Sequence, residues 1–198
     1  MQQIQFIQPH GAYVKIPKRR RQFLFRFFIW LAEKITGTVL LPARVLLWYP
    51  KTLISSGVLE GLVAHHEKSL GRRLLKLVRM QASFSVSCPF CIDMNAFKHE
   101  KFDISDEEIL ALQGKLGLKQ VNTFTERERV ALEYARSASG SPLQFKRELI
   151  EQMKHHFSDR ELVILASTIA QVNYWGRLIQ AVGIPPAAPC CIWMNLLR

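Results

Sequence analysis

Four cysteines in 198 residues are too few, and too closely paired, for a secreted disulfide scaffold. They fall as Cys88 with Cys91 and Cys190 with Cys191, and no signal peptide is read ahead of them, so a reducing, cytoplasmic compartment is expected. Long apolar runs are also missing. The longest candidate, about nine residues after Gln22, contains Arg26, whereas a spanning helix needs about 20. By itself this segment does not cross a bilayer. Period-two alternation of apolar and polar residues is scarce, which argues against a sheet. Acids are nearly absent from the first 59 residues, which hold nine Lys/Arg and the single acid Glu33. The other 139 residues carry eighteen bases and fifteen acids, so most of the formal net charge of +11 sits at the N-terminal end.

That end reads Lys15-Ile16-Pro17-Lys18-Arg19-Arg20-Arg21 and then Gln22-Phe23-Leu24-Phe25-Arg26-Phe27-Phe28-Ile29-Trp30-Leu31. Cations followed by aromatics suit a segment lying on an anionic membrane surface, where each Lys/Arg contributes on the order of 1 kcal/mol. The alternative is that Phe23, Phe27 and Trp30 pack on the body or on a second subunit while the cations stay solvated. Nucleic acid is the weakest candidate partner, because no recognition motif accompanies the charge.

Helical signals dominate the rest. Ser105 with Glu108, Thr125 with Glu128, and Ser158 with Glu161 are capping boxes, in which the hydroxyl and the carboxylate each satisfy a backbone N–H of the first turn. Apolar residues then recur every three to four positions. A break at Gly140-Ser141-Pro142 predicts a helix over 144–156, and Gly183-Ile184-Pro185-Pro186 ends the last long helix. Residues 72–86 predict a longer helix, and 42–56 and 59–67 two short ones broken at Pro50 and Gly57. The fold class is all-α, with seven to nine helices. The chain divides into a basic aromatic extension (1–36), a helical domain (37–186) and an apolar tail (187–198).

Cys88-Pro89-Phe90-Cys91 carries the chemistry. A helix starting at Pro89, a residue favoured at the first helical position, aims unpaired amides at the first turn and stabilises a thiolate there. Redox exchange, metal capture and inert packing of two small residues are the three readings of this spacing.

The run Leu77-Val78-Arg79-Met80-Gln81-Ala82-Ser83 followed by Cys88-Pro89-Phe90-Cys91-Ile92-Asp93-Met94-Asn95 resembles the carboxymuconolactone decarboxylase superfamily, most closely its alkylhydroperoxidase D-like branch. The two later helix starts and Ile169–Tyr174 agree with it, over about residues 40 to 186. The resemblance implies an all-helical, homo-oligomeric fold and a peroxidase cycle on a small-molecule hydroperoxide, with an external dithiol as reductant and no cofactor. By position Cys91 corresponds to the attacking thiol and Cys88 to the resolving one. The branch usually has a histidine four residues after the second cysteine and a glutamate twelve before the first; here these positions are Asn95 and Lys76. Asn95 orients by hydrogen bonds but does not titrate, and Lys76, if turned inward, holds a thiolate by charge. An incomplete proton relay and slow turnover are therefore expected, the alternative being an inactive, membrane-peripheral helical oligomer.

Other candidates are secondary. His99, two turns beyond Cys91, is read as a partial substitute for the missing histidine or as a surface residue. Asp93 points to another face of the helix. His65-His66 and His155-His156 are read as surface pairs, since helical neighbours diverge too far to chelate. Tyr174, Trp175 and Arg177 are read as packing the core or a subunit contact, or as lining a pocket for an organic hydroperoxide. Cys190 and Cys191 exchange with Cys91, or complete a zinc site with Cys88 and Cys91.

Overall fold

Three capping boxes and three prolines fix where most of the helices begin. The computed structural model describes residues 14–17, 23–36, 39–63 and 66–186. Among these run nine α-helices and no strand: α1 (Phe23–Thr36), α2 (Leu41–Leu46), α3 (Pro50–Leu62), α4 (Gly71–Ser85), α5 (Pro89–Ala96), α6 (Asp106–Leu112), α7 (Glu126–Ala138), α8 (Arg147–His156) and α9 (Asp159–Ala181). A 3-10 turn spans His99–Phe102. The all-α expectation holds. All three capping boxes form in full, with Ser105, Thr125 and Ser158 accepting from the third helical N–H while Glu108, Glu128 and Glu161 reach back to the cap.

Each capping carboxylate also binds an arginine from elsewhere. Arg73 of α4 donates to Glu108 and, at 2.8 Å, to Glu128, and Arg127 of α7 reaches Glu161 at 2.7 Å. A residue that starts one helix thereby ties it to another.

Helix α4 is the axis of the fold. Its Leu74, Leu75, Val78 and Ala82 join a core with α7, α8 and α9. Leu77 and Met80 lie in a second core with α6, Phe124 and Leu132. Because α4 is wrapped on both sides, it places the residues that follow it, including the cysteine turn, with little freedom. A third, smaller cluster holds Val45, Cys88, Phe90, Cys91, Ile179 and Ile184.

Two expectations are corrected in the N-terminal half. Pro50 does begin a helix, as a residue without an N–H can, but Gly57 does not break it. A helical glycine costs only about 1 kcal/mol against alanine. On either side of it, Ser56 bonds Tyr174 of α9 at 2.7 Å and Glu60 bonds Trp175 at 3.0 Å, which holds the helix continuous. Second, the α1 aromatics do not pack on the body of the same chain: Phe23, Phe27 and Trp30 are 74%, 52% and 51% exposed, while Ile29 faces inward. The lone acid of this region, Glu33, is consumed by Arg44 and by the Leu40 amide. No described helix is long and apolar enough to cross a membrane. The 187–198 tail, with Cys190 and Cys191, and His65 lie outside the described residues.

Candidate functional site

Helix α5 starts where the sequence places it. Cys88 is the N-cap, Pro89 occupies the first helical position, and the Cys91 amide donates to Cys88 Sγ at 3.2 Å. Entry into this turn uses Ser87 in the left-handed region, at φ 49°. The two sulfurs are joined as a disulfide across three positions of sequence. Both are buried, Cys88 fully and Cys91 to within 4%. Helix α9 passes close over them at Gly176, where an added Cβ would lie 2.7 Å from Val86 Cγ2 and 3.7 Å from Cys88 Cβ. Gly176 is what permits this approach.

The two cysteines are held by different devices. Cys88 has the helix terminus, whose N–H groups and dipole favour negative charge on its sulfur. Cys91 lies one turn before Asn95 on the same helical face. Asn95 is fixed at both ends of its carboxamide: Nδ2 donates to Ser83 Oγ at 2.9 Å, and Oδ1 accepts from Arg79 Nε at 3.2 Å. The Ser83 hydroxyl in turn donates to the Arg79 carbonyl at 2.8 Å. Arg79 also reaches Glu60 of α3 at 3.4 Å, and its Nη1 is buried with no hydrogen-bond partner among the described residues. Glu60 additionally accepts from Gln171 and Trp175 of α9. Three helices thus meet on one carboxylate. Burial pulls the Arg79 guanidinium below its usual value, and Glu60 only partly opposes this.

Lys76 sits elsewhere. Its Nζ donates to the Phe97 carbonyl at 3.1 Å and lies 5.1 Å from the Phe102 ring centre, at the far end of α5. Burial, with a smaller contribution from the Arg79 charge, brings its pKa down to about 8. The cation bonded to Asn95 is therefore Arg79, not Lys76. His99 is neither on α5 nor on the surface: α5 ends at Ala96, and His99 is buried with Nδ1 2.8 Å from the Ile104 carbonyl. The helical register that would set it two turns beyond Cys91 ends at Phe97, which leaves helical geometry. Asp93 is buried at 2% exposure. Tyr174 and Trp175 join α9 to α3, whereas Arg177 lines an open cleft of about 400 Å³ with Ser87, Ser139 and Gln180, which neither cysteine borders. Among the described residues no group of three or more His, Cys, Asp or Glu could hold a metal ion.

Sequence reasoning missed Glu60, Arg79, Ser83 and Gly176. Ser83 and Arg79 lie one and two turns back along α4 from the cysteine turn, a visible signal in retrospect. Nothing in the local sequence marks Glu60, which is brought in by the packing of α3 on α9.

No family profile matches the chain. It is 27% identical over 179 residues to the uncharacterized protein YnjA of Escherichia coli (strain K12), covering 89% of this chain and 95% of that one. It is 25% identical over 118 residues to the uncharacterized protein YdfG of Bacillus subtilis (strain 168), covering 59% and 78%. Among solved structures, the debrominase Bmp8 bound to 2,3,4-tribromopyrrole superposes with TM-score 0.77 at 15% identity, over 96% of this chain and 99% of Bmp8. An uncharacterized peroxidase-related protein of Ralstonia eutropha JMP134 with an alkylhydroperoxidase AhpD core superposes with TM-score 0.72 at 14% identity, over 89% and 93%. The fold is therefore that of the alkylhydroperoxidase D-like, carboxymuconolactone decarboxylase-type structures.

Proposed function

On the alkylhydroperoxidase D-like fold as premise, we propose that this protein is a thiol-dependent peroxidase or thiol–disulfide oxidoreductase, with Cys91 as attacking thiol and Cys88 as resolving thiol. The observation that supports it is the pair itself: two cysteines bonded to one another at a helix start, enclosed in an apolar cluster. In the proposed cycle the Cys91 thiolate attacks one oxygen of a hydroperoxide. An S–O bond forms, the O–O bond breaks, and the departing alkoxide takes a proton to become the alcohol. The Cys88 thiolate, favoured by the N-cap geometry, then attacks the sulfenic sulfur. The S–S bond forms and the oxygen leaves as water. An external dithiol restores both thiols and is itself oxidised to a disulfide. Asn95 positions the Cys91 face, and Lys76 adds positive charge at the distal end of α5.

The test is stoichiometric cumene hydroperoxide added to reduced protein, followed by thiol counting and mass spectrometry. Two thiols should be lost as a Cys88–Cys91 disulfide, and Cys91→Ser should slow peroxide consumption more than about tenfold. Cys88→Ser should stop at a sulfenic acid that dimedone traps. If Cys91→Ser consumes peroxide at the parent rate, the proposal is wrong.

A second reading, compatible with the first, is favoured by the exposed aromatic face of α1. Phe23, Leu24, Phe27, Phe28, Trp30 and Leu31 are each at least 40% exposed on a helix whose flanking sequence is strongly basic. This combination suits peripheral contact with an anionic lipid surface better than self-association through the same face, where like charges would meet. Phe27→Glu with Trp30→Glu should abolish co-sedimentation with phosphatidylserine-containing vesicles. If vesicle binding is unchanged, or if the double variant instead turns a dimer into monomers, the lipid reading is lost.

A further inference from the structure

The polar layer around Asn95 joins a buried cation and a carboxylate from a different helix to the face that carries Cys91. Arg79 bonds Asn95 through Nε and Glu60 through Nη2, leaving Nη1 as a buried donor without a partner among the described residues. Asn95 is one helical turn from Cys91, so its side chain and that of Cys91 are neighbours, with Cβ atoms about 5–6 Å apart. Arg79 reaches this face only through Asn95, and with its side chain 11% exposed and Cys91 4% exposed, water screens the two weakly. The disulfide is neutral. Reduction and ionisation of Cys91 would put an anion beside this cation.

Resting on the thiol reading above, we propose that the Arg79–Glu60 pair, acting through Asn95, sets how readily the reduced Cys91 thiol ionises. Arg79 favours the thiolate and Glu60 tempers Arg79, so the two are positioning residues with opposite effects on one sulfur. This arrangement stands where the resembled branch has a histidine, and it substitutes a fixed charge for a titrating one. The pair also links the sulfur to α3: Glu60 is held by Trp175 and Gln171, so any movement of α3 against α9 changes how much of the Arg79 charge is neutralised. Other charged groups near α5 include Lys76 and Lys98 at its far end, Asp93 on its buried opposite face, and Arg177 of α9 in the open cleft. They are common to every variant below and cancel in comparison.

The experiment uses the full chain with Cys88, Cys190 and Cys191 changed to Ser, leaving Cys91 as the single thiol, and reads thiolate absorbance near 240 nm against pH. Arg79→Met should raise the Cys91 pKa by about one unit, a tenfold loss of thiolate at neutral pH. Glu60→Gln should lower it by about half a unit, and Arg79→Lys should stay near the parent value because the charge is kept. Opposite shifts are the diagnostic result, since a merely structural contact would move both variants the same way. Shifts of the same sign, or none, overturn the proposal. Should Arg79→Met fail to fold, the Glu60→Gln and Arg79→Lys titrations still decide it. The outcome is separate from that of the peroxide test: opposite shifts without peroxide-driven disulfide formation would leave the coupling standing and remove the peroxidase.

Discussion

Helices α4–α9 and helix α3 bury their side chains by opposite rules. In α4–α9 the apolar stripes face inward and the arginines close the structure from outside: Arg73, Arg127 and Arg136 each bridge two segments through a carboxylate, a carbonyl or an amide. In α3 the polar side chains Ser56 and Glu60 face α9, while Ile54, Val58 and Leu62, on the other side of the same helix, are 53%, 52% and 81% exposed. Fourteen of the nineteen large apolar side chains exposed among the described residues fall between Ile16 and Leu62. Helix α3 thus turns one row of apolar side chains, Ile54, Val58 and Leu62, outward. The exposed apolar surface is thus concentrated in the region up to Leu62, which is suited to being covered.

The sharpest way to break this contrast is to remove the cation that binds two helix caps. Arg73→Met leaves Glu108, whose side chain is 1% exposed, without its ion pair, at a cost of roughly 3 kcal/mol or about 10 °C in Tm by calorimetry. The pH dependence of the parent protein follows the same residue. Burial pushes the Glu108 carboxyl up, but bonds from Arg73, Thr123 and Ser105 together bring it below its ordinary value of 4.5. A depressed carboxylate contributes stability above its unfolded pKa and loses it as pH falls through the folded value. Thermal stability should therefore drop below about pH 4.5, and the drop should be shallower in Arg73→Met. An equally steep acid limb in the variant would show that other carboxylates carry it.

Gly176→Ala tests the contact between the body and the cysteine turn. Val86 Cγ2 is too close to accommodate the methyl, so Val86 or α9 must shift beside the cysteine turn, costing about 1–3 kcal/mol by urea denaturation. The disulfide should also become easier to reduce, as measured against a dithiothreitol redox series; an unchanged midpoint would mean that α9 does not constrain the pair. The smallest effect is expected on the outward stripe. Val58→Lys should change the stability of a single chain by less than about 0.5 kcal/mol. A cost several times larger, appearing only at high protein concentration, would show that a second copy covers α3.

Legibility followed the same division. The helix starts at Ser105, Thr125 and Ser158 were readable because a capping box satisfies its own amides within four residues, and no distant group has to agree. The Cys88–Cys91 turn was readable for the same reason, since N-cap, proline and helix terminus are adjacent in sequence. Gly57 misled because helix propensity is a weak prior that two hydrogen bonds to α9 override. His99 misled because a positive φ at Lys98 and the turn after Ala96 carry the chain away from the helix axis. Asn95 could be placed one turn from Cys91 but not oriented. Its carboxamide direction depends on Ser83 and Arg79, twelve and sixteen residues away.

The amino-acid sequence by itself determined the helical class, the caps, the uneven charge and the two sulfurs three positions apart. All are properties of short stretches of chain, governed by local hydrogen bonding and composition. Only the tertiary structure decided that Arg79 and not Lys76 bonds Asn95, that Glu60 joins it from a helix 28 residues upstream of Cys88, and that α3 turns Ile54, Val58 and Leu62 outward. Those outcomes depend on which faces of separate helices meet, and the packing of buried side chains across the whole molecule selects them.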